Sequence, residues 1–547
     1  MLRKTNKPIL FQSLFKVISY ISKQSYSTPA KLTSSYHHHV SSLPLIYKTL
    51  GQVFDETVEK YPEHECYVSK NEQKRYTYKS FQDEVNINPA YVERELEYCL
   101  NKVGCKAIVL SPTVKTIQSL SILRRLLPEL GQQSSFKRLP SLKHIILTGK
   151  SSSLSSISKG IHSYDNLLQY GANISHFKLQ QRQASIDAHT PLAIFYTSGT
   201  TGQPKAATLS NFCMVNMSQN LHQHLGEYFT RLCTPIPMFH IFSEAVSIYN
   251  IILSKCRTIF PDILPNPVAT MRAIDEEKCT TLIGAPVIFP NILNHIDRKK
   301  YNLTSLVFGM LGAAPVHTDF LRQLEQEIPI KRIAQAYGMT ENSGVLTSSM
   351  WTKDNGDIRR FSSVGRSMRH IEMKIVDRKG NPVPIGETGE IWAKGFPIMC
   401  GYYNDIDKTK EAVTDSGWLQ TGDEGRMDED GYIYYIGRQK DIIIRGGVNI
   451  YPMEIEKAIM EHTDVSEAQV FSVPDKRYDE EICAWIKLKN NVTQCQSKDI
   501  IEFLSDKLAF FKIPKHIRFV EKFILTPTGK VQKHKMSKFM MNEFNQN

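Results

Sequence analysis

A short run of glycine, hydroxyl and lysine residues is the most chemically suggestive feature of this sequence. The run consists of Thr197, Ser198, Gly199, Thr200, Thr201, Gly202, Gln203, Pro204 and Lys205. Its glycines let the backbone turn tightly so that amide groups can face an anion, while its hydroxyls and lysine add further donors. The spacing differs from the Walker loop G-x-x-x-x-G-K. Residue types alone therefore predict either a phosphate-binding loop or an ordinary polar turn.

The elements around this run indicate how it is positioned. The apolar residues 192–196 before it are typical of a strand, and a helix is predicted to begin near Ser210. Up to about residue 437, strands such as Ala107–Leu110 and His144–Leu147 alternate with helical stretches. This alternation predicts an α/β fold, with a large N-terminal domain of mixed, largely parallel sheets and flanking helices. A smaller α+β unit is predicted to follow.

Further motifs follow the loop in a fixed order. They are Gly312-Ala313-Ala314-Pro315 and residues 335–341 (QAYGMTE), 386–390 (GETGE), 401–403 (GYY), 418–423 (WLQTGD), 437–441 (GRQKD) and 527–530 (PTGK). Together with the loop, this series resembles the signature of the adenylate-forming superfamily, which includes acyl-CoA synthetases, luciferases and peptide-synthetase adenylation domains. The resemblance runs from about Ser41 to Met536.

The resemblance implies an ATP-dependent acyl-CoA synthetase. A fatty acid, ATP and coenzyme A would give acyl-CoA, AMP and pyrophosphate through an acyl-adenylate. The implied organisation is an extension at residues 1–40, a large AMP-binding domain at 41–437 and a small mobile C-terminal domain at 438–547. Residues 41–50, 337–345, 443–455 and 512–528 look most like the mitochondrial medium-chain acyl-CoA ligases.

Five residues are expected to serve adenylate formation, in which a carboxylate attacks the α-phosphate of ATP and charge must be stabilised. By resemblance, Lys530 supplies a cation between the two anions, although a lysine near a C-terminus is otherwise a solvated surface residue. Glu341 would hold Mg²⁺, which prefers oxygen ligands, and the neighbouring Thr340 is expected in the catalytic site. Asp423 would accept hydrogen bonds from the ribose diol, and Arg438 would add a donor to ribose or phosphate.

Four further residues are expected to shape the adenine and acyl pockets. Tyr337, Gly312 and Ala313 would contact adenine, with the ring of Tyr337 as a stacking face. His240 resembles the histidine of the family's aromatic gate on the acyl pocket, with a satisfied core histidine as the alternative.

Two residues are expected to serve the transfer to coenzyme A, for which the small domain swings in this family. Lys440 matches the hinge position. Gly447 lies where close approach of pantetheine requires the absence of a side chain.

Charge and composition exclude several other classes of protein. The net charge is +12, but residues 1–54 contain seven Lys and Arg and no Asp or Glu. Residues 1–40 of this basic, acid-free stretch are typical of a mitochondrial transit peptide, with a plain disordered extension as the alternative. Charge is mixed elsewhere, so nucleic acid is not an expected partner. The sequence has no apolar run of the roughly 20 residues that a membrane span needs.

One departure from the family affects the predicted fold. Asn86 is followed directly by Ile87, whereas in relatives several dozen residues, including a helix and a strand, separate these two segments. The alternative function is therefore a catalytically impaired relative that acts as a binding or interaction protein. Adenylation without coenzyme A is a second alternative. Smaller departures are Ala206 and Ser243, which stand where the family has glycine.

Overall fold

The computed structural model describes residues 31–81, 93–112, 118–130, 132, 136–148, 160–197, 204–228, 230–312, 316, 318–351, 358–489, 492, 494–525 and 531–544. Several predicted features lie outside these residues. They are most of the 1–40 extension, the Asn86–Ile87 junction, Ser198, Gly199, Thr200, Thr201, Gly202, Gln203, Ala313 and Lys530.

A nine-stranded central sheet forms the middle of the large N-terminal part. Its strands, in order across the sheet, are Arg366–Ser367, Thr347–Ser348, Arg332–Tyr337, Phe308–Gly312, Thr281–Gly284, Arg231–Cys233, Arg257–Phe260, Glu65–Ser69 and Lys74–Thr77. The six strands from Arg332–Tyr337 to Glu65–Ser69 are parallel, and the outer ones are antiparallel to their neighbours. Their side chains are largely buried, as expected of parallel strands covered on both faces. The prediction of mixed, largely parallel sheets is confirmed.

An antiparallel sheet packs beside the central sheet. Its order is Tyr36–His38, Ile371–Val376, Gly389–Gly395, Leu419–Met427 and Ile433–Arg438. Strand Leu419–Met427 alternates buried and half-buried residues along its length. This is the period of two expected when one face of a sheet lies on a core.

Two three-stranded sheets complete the N-terminal part. One has the order Gly401–Tyr402, Lys205–Ser210 and Pro191–Thr197, and the other has the order Ala107–Leu110, His144–Leu147 and Ile161–Ser163. Strands Ala107–Leu110 and Pro191–Thr197 are edge strands of these sheets within the described residues.

A separate five-stranded sheet forms the C-terminal part. Strands Val448–Ile450, Ile443–Arg445, Asp479–Leu488 and Val465–Asp475 follow one another across it, and His516–Phe519 pairs with Asp479–Leu488. It has its own hydrophobic core, which includes Ile455, Ile459 and Leu504.

Helices cover the faces of these sheets. The α-helices are Leu50–Lys60, Tyr78–Phe81, Glu93–Lys102, Ser119–Leu126, Tyr164–Gly171, His176–Ala184, Asn211–Leu225, Ile241–Ser243, Tyr249–Leu253, Pro267–Glu277, Ile288–Leu293, Thr318–Glu327, Arg359–Ser362, Ile406–Ala412, Pro452–Met460, Ser497–Ser505 and Lys533–Phe544. Shorter 3₁₀ turns occur at Gly226–Tyr228, Arg298–Lys300, Thr340–Asn342, Ser349–Trp351, Gln439–Asp441 and Phe510–Lys512, and a π-turn at Glu244–Ile248. Within the described part of the chain, none of the helices has the length and apolar content to cross a bilayer.

Candidate active site

The carboxyl edge of the central sheet brings together the ends of two neighbouring parallel strands. Gly312 ends one strand and pairs with Ala336, and Tyr337 ends the next. A side chain at position 312 would approach the carbonyl oxygen of Ala336 to 3.1 Å and the ring of Phe242 to 3.3 Å. Gly312 therefore allows close packing at this edge, where ligands commonly bind in open α/β sheets.

A carboxylate from the antiparallel sheet meets Tyr337 at this edge. The Tyr337 hydroxyl donates a hydrogen bond to Asp423 Oδ2 at 2.8 Å, and Arg438 Nε lies 3.1 Å from Asp423 Oδ1. Asp423 and Arg438 are cross-strand partners, so sheet register places them side by side. Burial, then the Asp423 charge, raises the pKa of Tyr337 well above its ordinary value. The hydroxyl therefore stays protonated and donates to the carboxylate.

Tyr435 adds a second aromatic ring to this group, and the sequence analysis did not single it out. Its ring lies 6.0 Å from that of Tyr337, at an interplanar angle of 42°. The two rings form an apolar wall beside Asp423. The burial pattern of strand Ile433–Arg438 does not alternate, so the residues of this strand alone do not indicate the position of Tyr435.

Glu341 lies on the next turn of chain, and Tyr402 holds it in place. Glu341 is 5% exposed, and its Oε1 accepts a hydrogen bond from the Tyr402 hydroxyl at 2.7 Å. Burial, then the Glu341 charge, raises the pKa of Tyr402. The backbone carbonyl of Glu341 also accepts a hydrogen bond from Met399 at 2.9 Å. The sequence analysis noted the Gly401-Tyr402-Tyr403 motif without assigning Tyr402 a role.

The turn that carries Thr340 and Glu341 depends on a close backbone approach. A side chain at Gly338 would lie 2.4 Å from the carbonyl oxygen of Gly344, so only glycine fits there. Thr340 begins the 3₁₀ turn Thr340–Asn342 and is half-buried. Thr340 and Glu341 therefore lie directly after the strand that ends at Tyr337.

Tyr402 also has Lys205 as a neighbour, in addition to Glu341. Its Nζ is 3.5 Å from the Tyr402 hydroxyl and 4.8 Å from the centre of that ring. Thr197 and Lys205 are cross-strand partners, so they close the glycine-rich run at its base, with Pro204 directly before Lys205. The buried Ala206 pairs regularly with Tyr196, so the strand accommodates the methyl group that replaces the family's glycine.

His240 has a structural role in the described geometry. Its Nδ1 accepts a hydrogen bond from the Phe242 backbone at 3.2 Å and so caps the short helix Ile241–Ser243. Phe242 in turn packs against Gly312. His240 therefore lies near the carboxyl edge, and the alternative of a satisfied histidine has direct support. Ser243 is buried and donates to the carbonyl of Ile236 at 3.3 Å.

Lys440 and Gly447 lie in the connection from the antiparallel sheet to the C-terminal sheet. Lys440 is on the exposed 3₁₀ turn Gln439–Asp441, which follows the last strand of the antiparallel sheet. Gly446 and Gly447 have φ of +58° and +80° and join two antiparallel strands. This is the backbone of a two-residue hairpin turn, for which glycine is favoured. The hairpin turn therefore gives a structural reason for glycine at position 447, in addition to the predicted close approach of pantetheine.

A polar bond and a helix connect the C-terminal part to the site region. The Tyr451 hydroxyl donates to Glu424 Oε2 at 2.8 Å, next to Asp423. Helix Pro452–Met460 follows and contacts strand Ile433–Arg438.

Comparisons with known proteins agree with this arrangement. A family model described as "AMP-binding enzyme" matches residues 84–403, and one described as "AMP-binding enzyme C-terminal domain" matches residues 454–530. The first match alone covers more than half of the chain. The chain belongs to the AMP-binding enzyme family. The predicted family is thereby confirmed.

Relatives in this family include proteins named as ligases. A zebrafish (Danio rerio) protein named medium-chain acyl-CoA ligase ACSF2, mitochondrial, is 34% identical, and the match covers 92% of this chain and 90% of the relative. The human (Homo sapiens) protein of the same name is 33% identical, with 93% and 90% covered. These relatives confirm the prediction of an enzyme of the acid–thiol ligase type.

Solved structures support the fold of this AMP-binding enzyme. The anthranilate CoA ligase AuaEII in complex with anthranoyl-AMP superposes with a TM-score of 0.77 at 20% identity, covering 91% of this chain and 99% of that one. ATP-bound MatB from Rhodopseudomonas palustris gives a TM-score of 0.70 at 21% identity, with 91% and 100% covered.

Replacement of Asp423 by asparagine tests the carboxylate of this enzyme's site. We expect kcat/KM for ATP in adenylate formation to fall by about 10- to 100-fold, because the neutral amide loses charge-assisted hydrogen bonding. ATP–pyrophosphate exchange measures this. Asp415→Asn, a change at an exposed position, is the matched control and should leave the rate unchanged. An unaltered kcat/KM in a folded Asp423→Asn protein would remove Asp423 from the site.

Glu244 gives the enzyme a distinct pH dependence of stability. It lies in the π-turn Glu244–Ile248 after His240, and burial raises its pKa to about 7. Because the folded pKa exceeds the unfolded one, the neutral form is favoured and stability is lost as pH rises from about 4.5 to 7. We expect Glu244→Gln to raise Tm at pH 8. The corresponding gain in the free energy of unfolding is at most about 3 kcal/mol. No gain is expected at pH 4.5.

Thermal unfolding across this pH range checks the prediction for Glu244. Glu59→Gln, at an exposed position on helix Leu50–Lys60, is the control and should leave Tm unchanged at both pH 8 and pH 4.5. A Tm gain for Glu244→Gln that is the same at both pH values would contradict the assigned titration.

Proposed function

We propose that this chain is an ATP-dependent acyl-CoA synthetase that works through an acyl-adenylate. The observation that carries the proposal is the convergence of Tyr337, Asp423, Arg438 and Glu341 at the carboxyl edge of the central sheet. In a chain of the AMP-binding enzyme family, this group offers an aromatic wall, a carboxylate acceptor and a cation in one place.

In adenylate formation, the described residues would bind and orient ATP. Tyr337 and Tyr435 present the apolar faces on which adenine can stack. Asp423 is fixed by Tyr337 and Arg438, so its carboxylate is oriented before a ribose diol arrives. Lys205, at the base of the glycine-rich run, would bind phosphate oxygens together with the donors of that run. Lys530 would stand between the carboxylate and the α-phosphate, and Thr340 would lie beside them.

Glu341 fits a magnesium ligand. Mg²⁺ prefers carboxylate oxygens, and Glu341 holds one oxygen toward Tyr402, which leaves its other oxygen to face a cation. When bound, the ion neutralises charge on the phosphates of ATP. The proximity of Lys205 to Tyr402 brings this carboxylate and a phosphate-binding cation to the same end of the cleft.

Coenzyme A would bind where the two domains meet. The proposal places a hinge at Lys440, in the turn that links the last strand of the large domain to the first strand of the small one. Gly447 would face pantetheine, and His240 would stand at the acyl pocket beside Gly312 and Ala313.

A medium-chain fatty acid in mitochondria is the proposed substrate and setting. Support comes from the two vertebrate relatives, which carry both terms in their names. The basic, acid-free composition of residues 1–40 gives independent support for the location.

Hydroxylamine trapping of the acyl-adenylate tests this proposal. The full chain is incubated with ATP, Mg²⁺ and acids of short, medium and long chain, and hydroxamate is measured with and without coenzyme A. We expect the largest yield for medium-chain acids, and acyl-CoA in place of hydroxamate when coenzyme A is present. Hydroxamate without acyl-CoA would favour adenylation alone. Nucleotide binding with no hydroxamate from any acid would favour the impaired binding protein.

A further inference from the structure

A cluster of positive charge lies at the edge of the central sheet that faces away from the candidate active site. Arg231 and Arg257 are the first residues of two neighbouring parallel strands, and His64 directly precedes a third, Glu65–Ser69. The candidate active site lies at the carboxyl ends of the same parallel set. The two locations are therefore on opposite edges of one sheet.

These residues line a cavity of about 360 Å³, together with Thr230 and Lys255. Arg231 and Arg257 are register partners in the parallel pairing, so their side chains start from adjacent positions. Like charges directly opposite each other destabilise a sheet. The fold therefore places a repulsive pair at this point unless a negative charge lies between them.

The carboxylates of the described residues offset this charge only in part. Glu65 lies 2.8 Å from Arg257 Nε, but it also accepts from Arg75 Nη2 at 2.8 Å. Among the described residues, Arg231 and Lys255 have no ion-pair partner, and Arg231 Nε is buried without a hydrogen bond. Burial, then Lys255 and Arg257, lowers the pKa of His64, which is consistent with surplus positive charge here.

We propose that this cavity, which we call the basic pocket, binds a phosphate-bearing anion at a site separate from catalysis. Arg231 and Lys255 supply the charge, with Arg257 oriented by Glu65. Buried or half-buried guanidinium groups form the strongest hydrogen bonds with phosphate oxygens. Thr230 lies exposed at the rim, where its hydroxyl already shares a hydrogen bond with the Thr280 hydroxyl at 2.9 Å.

Ligand-dependent stability of the full chain tests the basic pocket. Tm is measured with inorganic phosphate and with chloride at the same ionic strength, since ligand that binds only the folded state raises Tm. We expect phosphate to raise the Tm of the wild type by at least about 2 °C. Arg231→Gln and Lys255→Gln should lose most of this gain, and calorimetry should show a phosphate Kd raised by about ten-fold or more.

Two controls separate this pocket from other phosphate-binding groups. Arg272→Gln and Lys299→Gln each remove one exposed positive charge elsewhere and should keep the full phosphate-dependent gain. Lys255 is itself exposed, so Lys255→Gln should fold even if a change at Arg231 does not. In the absence of phosphate, Arg231→Gln should melt no lower than the wild type, because the repulsion with Arg257 is relieved.

Three results would overturn the proposal, two with inorganic phosphate and one with a second probe. An equal phosphate gain in wild type, Arg231→Gln and Lys255→Gln would place the bound anion elsewhere, such as at the glycine-rich run. No gain over chloride in the wild type would mean that the basic pocket has no specific affinity for phosphate. Glycerol 3-phosphate serves as a second probe. The proposal is supported if glycerol 3-phosphate raises the Tm of the wild type at least as much as inorganic phosphate does and if Arg231→Gln and Lys255→Gln both lose this gain. A Tm gain that both variants retain overturns the proposal.

Discussion

Lys530→Ala is expected to lower adenylate formation by roughly 10²–10³-fold, the effect of losing one preorganised charge-stabilising donor. Thioester formation from preformed acyl-adenylate should be largely retained, because in the proposed mechanism the small domain would withdraw this lysine before coenzyme A reacts. The two half-reactions are measured separately, by ATP–pyrophosphate exchange and by acyl-CoA release from synthetic acyl-adenylate.

The described residues on either side of position 530 connect to the candidate site. Leu525 and Val531 form an antiparallel bridge. Lys533 Nζ lies 2.6 Å from Glu456, on helix Pro452–Met460. That helix contacts strand Ile433–Arg438, whose last residue pairs with Asp423. The described residues that flank position 530 are therefore joined to the helix that contacts the candidate site.

Lys535→Ala is the matched control for Lys530→Ala. Lys535 is an exposed lysine on the following helix, Lys533–Phe544, and its loss should leave both half-reactions unchanged. Equal loss of both half-reactions in Lys530→Ala would instead indicate a structural role. Retention of both would exclude the lysine from the chemistry.

The sequence predicted local elements well because their signals are local. Strands Ala107–Leu110 and His144–Leu147 have the predicted bounds, and the predicted helix start near Ser210 is the capping residue of Asn211–Leu225. Continuous apolar runs and a serine cap report directly on backbone conformation. The meeting of Tyr337 with Asp423 depends on two different sheets and was expected only through the family resemblance.

Features made by long-range pairing could not be predicted from the residues themselves. Arg231 and Arg257 become neighbours only because their strands pair in parallel. Tyr402 orients Glu341 across a large separation in sequence. His240 was expected as a gate, yet the structure adds a helix-capping role that depends on the geometry of its own turn.

Two sheets end in strands that pair on one side only, which is relevant to the predicted loss of a segment at the Asn86–Ile87 junction. The junction itself lies outside the described residues. Strand Ala107–Leu110 pairs with His144–Leu147 on one side only, and strand Pro191–Thr197 pairs with Lys205–Ser210 on one side only, within the described part of the chain. Both are strongly apolar, yet most of their residues are only half-buried. Parallel strands usually have both faces covered, so the incomplete burial of Ala107–Leu110, which pairs in parallel with His144–Leu147, is unusual.

The two edges belong to neighbouring parts of the molecule. The Tyr196 hydroxyl donates to the carbonyl of Cys99, on helix Glu93–Lys102, which leads to strand Ala107–Leu110. The alignment with the zebrafish relative has 556 positions, more than the 547 residues of this chain, so that relative carries residues absent here. An absent helix and strand would account for the open edges of these two short sheets.

We expect the 547-residue chain to melt at a low temperature, to aggregate readily and to turn over weakly. Unpaired buried backbone groups cost about 1–3 kcal/mol each, and exposed apolar surface forfeits roughly 25 cal/mol per Å². Total domain stability is only about 5–15 kcal/mol, so these losses can exceed the whole margin. Open apolar edges also promote association with other chains.

Insertion of the corresponding segment from the zebrafish relative between Asn86 and Ile87 should restore both Tm and ligase turnover. The matched control is a glycine–serine insert of equal length at the same junction, which restores chain length without a strand or an apolar helix face. It should leave Tm and turnover low. Cooperative unfolding of the unmodified chain at an ordinary mesophile temperature, with full ligase activity, would refute the predicted loss. Equal rescue by both inserts would show that chain length, rather than strand pairing, is what the junction lacks.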